Sequence, residues 1–155
     1  FTISPSPTRS SRSRRWRGSI DVAWPPHIDQ IVSERWTQHA GALLTLEEFF
    51  DGNVDLGSIC CNLINHPGLD VVRQRLEAIV ARPDVSSAWV EVVDTDRDLD
   101  WPFSDRVWFS TSAAESEAEI WRDQLEADEV IDPDPQSDVG ERAGPGEQII
   151  GLWWD

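Results

Sequence analysis

Lysine, methionine and tyrosine are absent from this 155-residue chain, and cysteine occurs only as the adjacent pair Cys60–Cys61. Neighbouring thiols can close only a strained vicinal ring, so no disulfide framework is available. Free thiols and a cytoplasmic setting are therefore expected. No apolar run approaches the roughly 18 residues that read as a membrane span, so no membrane association is expected. Glycine-rich phosphate loops are missing too: the GPG at 144–146 lies in a linker and precedes no helix. With histidine only at His27, His39 and His66, no Ser–His–Asp arrangement can be nominated. No catalytic residue, cofactor or metal ligand is assigned.

What is abundant is acid and tryptophan. All 13 basic residues are arginine, against 29 Asp and Glu, and the formal net charge is −16. Five of those arginines (Arg9, Arg12, Arg14, Arg15, Arg17) fall in residues 1–20, which hold no acid, so the remainder has a net charge of −21. A body that acidic repels phosphate backbones and attracts a basic partner, which disfavours nucleic-acid binding by the folded part. Residues 1–24 are rich in Ser, Pro and Arg without periodicity and read as a disordered tail, with a nucleic-acid-binding arm as the functional alternative. Residues 25–155 read as a single α+β domain.

Periodicity organises that domain. Pro25-Pro26 opens an amphipathic helix over roughly 27–40, with Ile28, Ile31, Val32 and Trp36 on one face. Thr45 and Glu48 form a capping box for a short helix, TLEEFF, ended by Gly52. SICCNLI (58–64) alternates as a strand, and Pro67-Gly68 precedes a helix to about Ala81. SSAWVEVV and DRVWFST read as strands, and Ser112 with Glu115 forms a second capping box before a helix carrying Ala118, Trp121 and Leu125. Residues 132–147 read as a flexible linker before a last strand, QIIGLWW. The order β-α-β-β-α-β after two N-terminal helices predicts a ferredoxin-like domain with a four-stranded antiparallel sheet.

At FFDGNVDLGSICCNL, HPG, RPDV, WPFSD, TSA, DEV and the terminal LWWD, the chain resembles a family of small uncharacterised actinobacterial proteins, from about Thr45 to Asp155. The resemblance implies a bacterial source and one domain from Leu44 onward. It implies no activity, cofactor or functional residue.

Three constellations could carry chemistry. Cys61 and His66 could pair as thiolate and imidazole with Asp70, and carboxylates near Asp51–Asp55 lie close in sequence. A reactive thiol needs an electropositive setting, however, and strand alternation puts Cys61 in the core. Asp94–Asp105 carries acids at calcium-loop positions 1, 3, 5 and 12 but Leu99 where glycine belongs, leaving at most a weak divalent site. The third is a partner-binding surface. Alternation places Trp89 and Glu91, with Arg106 and Trp108, on the sheet face away from the helices, and that face is open unless the N-terminal helix covers it. Residues 113–141 hold eleven acids against Arg122 alone, including Glu115, Glu119 and Asp123. The favoured reading is a non-enzymatic module that binds a basic protein, as an immunity protein binds a toxin. A small enzyme and a metal-binding module are the alternatives. Oligomeric state is left open.

Overall fold

The computed structural model describes residues 24–155, and the Arg-rich tail lies almost wholly outside them. Within these residues, five strands form one antiparallel sheet: β1 (Ala42–Leu44), β2 (Val85–Val92), β3 (Arg106–Thr111), β4 (Glu129–Ile131) and β5 (Gln148–Trp153), in the order β1-β2-β3-β5-β4. Among the described residues, four α-helices accompany it: α1 (Pro26–Arg35), α2 (Leu46–Phe50), α3 (Leu69–Val80) and α4 (Glu115–Leu125). The α+β class is as expected. The four-stranded ferredoxin-like order is not: residues 58–64 form no strand, and β1 and β4 were not anticipated.

The failure at 58–64 has a local cause. Turns occupy the segment and its approach: Asn53 Oδ1 accepts from Asp55 N at 2.9 Å and Asp55 Oδ1 from Gly57 N at 3.0 Å just before it, and Leu63 N bonds Cys60 O at 3.1 Å within it. Leu56–Ser58 then forms a 3-10 turn, and Cys60 adopts φ 57°. Neighbours Ile59 and Cys60 are both buried, and Cys61 is exposed. The alternation is therefore broken, and the two cysteines exchange the places that strand periodicity assigns them.

Elsewhere the periodicities hold. Helix α2 has its capping box: Thr45 Oγ1 accepts from Glu48 N and Glu48 Oε1 from Thr45 N. Helix α3 buries Val72, Leu76 and Ile79, and α4 buries Ala118, Trp121 and Leu125. The second expected box is absent. Ala114 is the N-cap of α4, and Thr111 rather than Ser112 accepts the Ala113 amide, at 2.9 Å. Helix α1 stops at Arg35, and Thr37–Gly41 closes a turn into β1.

One sheet face carries Val90, Val92, Val107, Phe109, Ile150 and Leu152 against the helices, with Phe109 and Trp121 ring centroids 5.5 Å apart. Helix α1 joins this same core through Ile28 and Val32. It does not cover the other face, contrary to the simplest expectation. The cover comes from residues 132–147, expected as a linker. Their 3-10 turn Val139–Arg142 puts Val139 at 1% exposure against a second cluster of Leu43, Trp108 and Ile149.

Hydrogen bonds fasten this cover at its far end. Ser110 Oγ donates to Glu147 Oε1 at 2.7 Å and accepts from Gly144 N at 2.9 Å, while Ser86 Oγ also reaches Glu147. These donors hold the Glu147 carboxyl below its ordinary range. Ser110 is fully buried. Ser110→Ala is expected to destabilise by about 1–2 kcal/mol, because the Gly144 amide loses its acceptor. Denaturant melting checks the loss, and amide exchange that does not quicken at Gly144 would place it elsewhere.

Candidate functional site

On the covered face, an open cleft of about 370 Å³ remains beside the strap. Its base is built by cross-strand neighbours. Glu91 on β2 lies opposite Arg106 on β3, and Trp108 on β3 lies between Trp89 and Gly151. The Trp108 indole can lie flat here because Gly151 has no side chain: a Cβ there would come within 2.5 Å of Trp108 Cζ3 and 2.9 Å of Ile131 Cγ1. With the benzo edge of the indole over β5, the opposite edge reaches back to β2. Trp108 Nε1 donates to Glu91 Oε1 at 2.7 Å.

Glu91 is 6% exposed. Its cross-strand cation is turned away: Arg106 Nε bonds Asp105 Oδ1 at 2.8 Å, and Trp153 Nε1 bonds the other Asp105 oxygen at 3.2 Å. Burial therefore dominates and pushes the Glu91 carboxyl up to about 7, although the Trp108 hydrogen bond and the Arg106 charge pull the other way. His39, from the turn before β1, also lines the cleft, with Glu129, Asp132 and Asp134 exposed along its lip. Four carboxyl groups thus face one guanidinium in the lining.

The anticipated surface residues divide between two sides of the molecule. Glu91, Arg106 and Trp108 meet in the cleft. Trp89 lies on the same face, half-buried beneath the strap, with the Arg142 guanidinium 5.6 Å from its ring centroid. Glu115, Glu119 and Asp123 are exposed on α4, which packs on the opposite face through Trp121. Glu119 and Asp123 are occupied with Arg122, at 2.8 and 2.9 Å. No single flat partner can touch both groups. Alternation misses His39, Glu129, Asp132, Asp134 and Trp153, which reach the cleft from other segments. The signal available for Gly151 is an isolated glycine inside an apolar strand.

The thiol alternative loses its chemistry. Burial pushes Cys60 up to about 12, and burial also raises Cys61. Both His66 ring nitrogens serve the chain: Nδ1 accepts from Gly68 N at 3.0 Å and Nε2 faces Ile59 O at 2.9 Å. The imidazole is a helix-entry clamp rather than a base. Asp51 is paired with Arg73 at 2.8 Å, and Asp55 caps the turn at Gly57. In a folded-state thiol titration near neutral pH, Cys61 is expected to react no faster than free cysteine and Cys60 only on unfolding. Any fast thiol contradicts that. In the Asp94–Asp105 connection, Asp94 and Asp96 accept the amides of Asp96 and Asp98, and Trp101 is buried. Among the described residues no group of three or more His, Cys, Asp or Glu could hold a metal ion, and no helix is long and apolar enough to cross a membrane.

The fold and cleft define a class: a small α+β protein with an acidic, tryptophan-floored hollow on one sheet face. More particularly, the chain belongs to the family described as "Uncharacterized protein YfbO family", whose model matches residues 27–147. It is similar to "Uncharacterized protein YfbO" of Escherichia coli (strain K12), at 34% identity over 116 residues, covering 73% of this chain and 82% of that protein. No solved structure matches.

Proposed function

We propose that this chain is a non-enzymatic interaction protein whose cleft face binds a basic protein partner. The observation that carries the reading is the cleft lining: four carboxyl groups beside two tryptophans, with Arg106 already held by Asp105. Complementary charge steers encounter, and buried aromatics surrounded by polar groups are the usual anchors of a protein interface. An immunity-type role, masking a basic toxin, is one form of this reading and rests on the same acidity. A cytoplasmic setting and an actinobacterial source belong to the proposal too, from the free thiols and the motif resemblance. The acids of α4 lie on the other side and read as a solvated face.

The test uses capture from an extract of the source bacterium, with a triple variant Glu129→Gln, Asp132→Asn, Asp134→Asn run beside the native chain. A basic protein is expected to bind the native chain, to be released by raised salt, and to be weakened in the variant. Capture of neutral or acidic proteins only, or capture indifferent to salt and to the variant, sinks the reading.

A further inference from the structure

Glu91 Oε1 accepts from Trp108, but its second oxygen has no hydrogen-bond partner among the described residues. The residue is almost wholly buried and lines an open cleft, while the nearby guanidinium is committed to Asp105. A carboxylate so placed is short of one positive charge. Beside it, Trp153 and Ile131 offer half-buried aromatic and aliphatic surface, suited to the stem of a long cationic side chain and to its charge over an indole.

We propose that the cleft is a receptor for one organic cation, a guanidinium or ammonium group on an aliphatic stem. Its charge meets the free oxygen of Glu91, and its stem packs along Trp153 and Ile131. The inference rests on the reading of a basic partner, and it names what that partner inserts: an arginine or lysine side chain. A free small guanidine or amine shares the same chemistry. An anionic ligand does not, since the lip carries Glu129, Asp132 and Asp134.

Binding is coupled to a proton. The charged and titratable groups facing Glu91 are Arg106 from β3 and Asp105 just before that strand, His39 from the turn before β1, and Glu129, Asp132 and Asp134 from β4 and the strap. The cation binds the ionised carboxylate, whereas burial keeps Glu91 protonated up to about pH 7. Loading the cleft therefore releases the Glu91 proton to solvent, and affinity rises with pH through that value.

The probe is arginine capped at both ends, titrated into the 155-residue chain by NMR, with capped citrulline as its uncharged counterpart. Capped arginine is expected to bind about thirtyfold more tightly near pH 8 than near pH 5.5, with citrulline not binding. Glu91→Gln keeps an acceptor for Trp108 and is expected to lose both the affinity and its pH dependence. Glu115→Gln on α4 keeps both, and His39→Asn keeps the pH dependence. Should Glu91→Gln misfold, Asp132→Asn with Asp134→Asn provides a second arm, expected to weaken binding about threefold. Equal affinity at the two pH values, equal citrulline binding, or unchanged binding by Glu91→Gln overturns the inference. Release of a captured basic protein by capped arginine places a partner's side chain in the cleft. Capped arginine that binds at Glu91 without releasing the partner supports a receptor for a small free cation instead. A partner captured equally by native chain and Glu91→Gln, without capped-arginine binding, overturns the inference while the interaction reading stands.

Discussion

Gly151→Ala is expected to destabilise the protein by about 3 kcal/mol, the upper end for a small overpacking change in a rigid core. The added methyl cannot be absorbed by a flexible tip. It meets the Trp108 ring at 2.5 and 2.6 Å and Ile131 Cγ1 at 2.9 Å, with β3 and β4 bonded to β5 on either side of Gly151. Trp108 is 2% exposed, so its indole can move only by giving up the bond to Glu91 or the packing against Leu43 and Ile149. The cause is separable by a double-mutant cycle. Trp108→Ala alone is expected to cost about 3–5 kcal/mol through lost burial and a cavity. In that background Gly151→Ala should cost far less, a favourable coupling of at least about 1 kcal/mol. Additive losses in denaturant melts would show that glycine is required at this position for some reason other than the indole.

That cycle also explains how far the candidate site was legible. Strand periodicity alone puts Trp89, Glu91, Arg106 and Trp108 on one face, and the structure has them there. The long elements α3, α4, β2, β3 and β5 each carry enough repeats to be read directly. Strands β1 and β4 have three residues each, too few for alternation to show, and β4 lies inside a stretch dominated by acids. Residues 58–64 show the opposite error, a run with strand composition taken up by turns: Asn53 and Asp55 side chains bond the backbone just before it, and Leu63 N bonds Cys60 O within it. The cover at 132–147 was illegible because its contribution to the core is small, Val139 and Ala143 among Pro, Gly and Asp. A segment held by two apolar contacts and the Ser110–Glu147–Gly144 bonds has the composition of a linker and the position of a lid. The cleft exists because this strap covers only part of the face, and no local pattern encodes where a cover stops.

Glu91→Gln is expected to stabilise the unliganded protein by on the order of 2–3 kcal/mol above about pH 7, and to change it little below about pH 4. The carboxyl goes from an ordinary value of 4.5 in the unfolded chain to about 7 in the fold. Below the first value both states hold the proton, and Glu91 is a neutral hydrogen-bonding side chain. Between the two values the folded state binds more proton than the unfolded one, so stability falls as pH rises. Above about 7 the fold carries a buried carboxylate with no paired cation, and the full penalty persists. Glutamine keeps the oxygen that Trp108 Nε1 needs and cannot ionise. Other carboxyls bend the curve at the acid end instead: hydrogen bonds from Arg97 and Ser33 lower Asp29, and those from Arg35 and Thr45 lower Glu48. Their stabilisation is lost as pH falls through those depressed values, and it is shared by both proteins. The difference between native and variant melting curves therefore isolates Glu91. A gap of about 5–10 °C in Tm is expected near pH 8, closing near pH 4. A gap that does not vary with pH would mean that Glu91 is already paired in solution. Saturating the native protein with a cation that fits the cleft should shrink the gap from the other side, because the penalty being removed by glutamine is the one that the bound charge offsets.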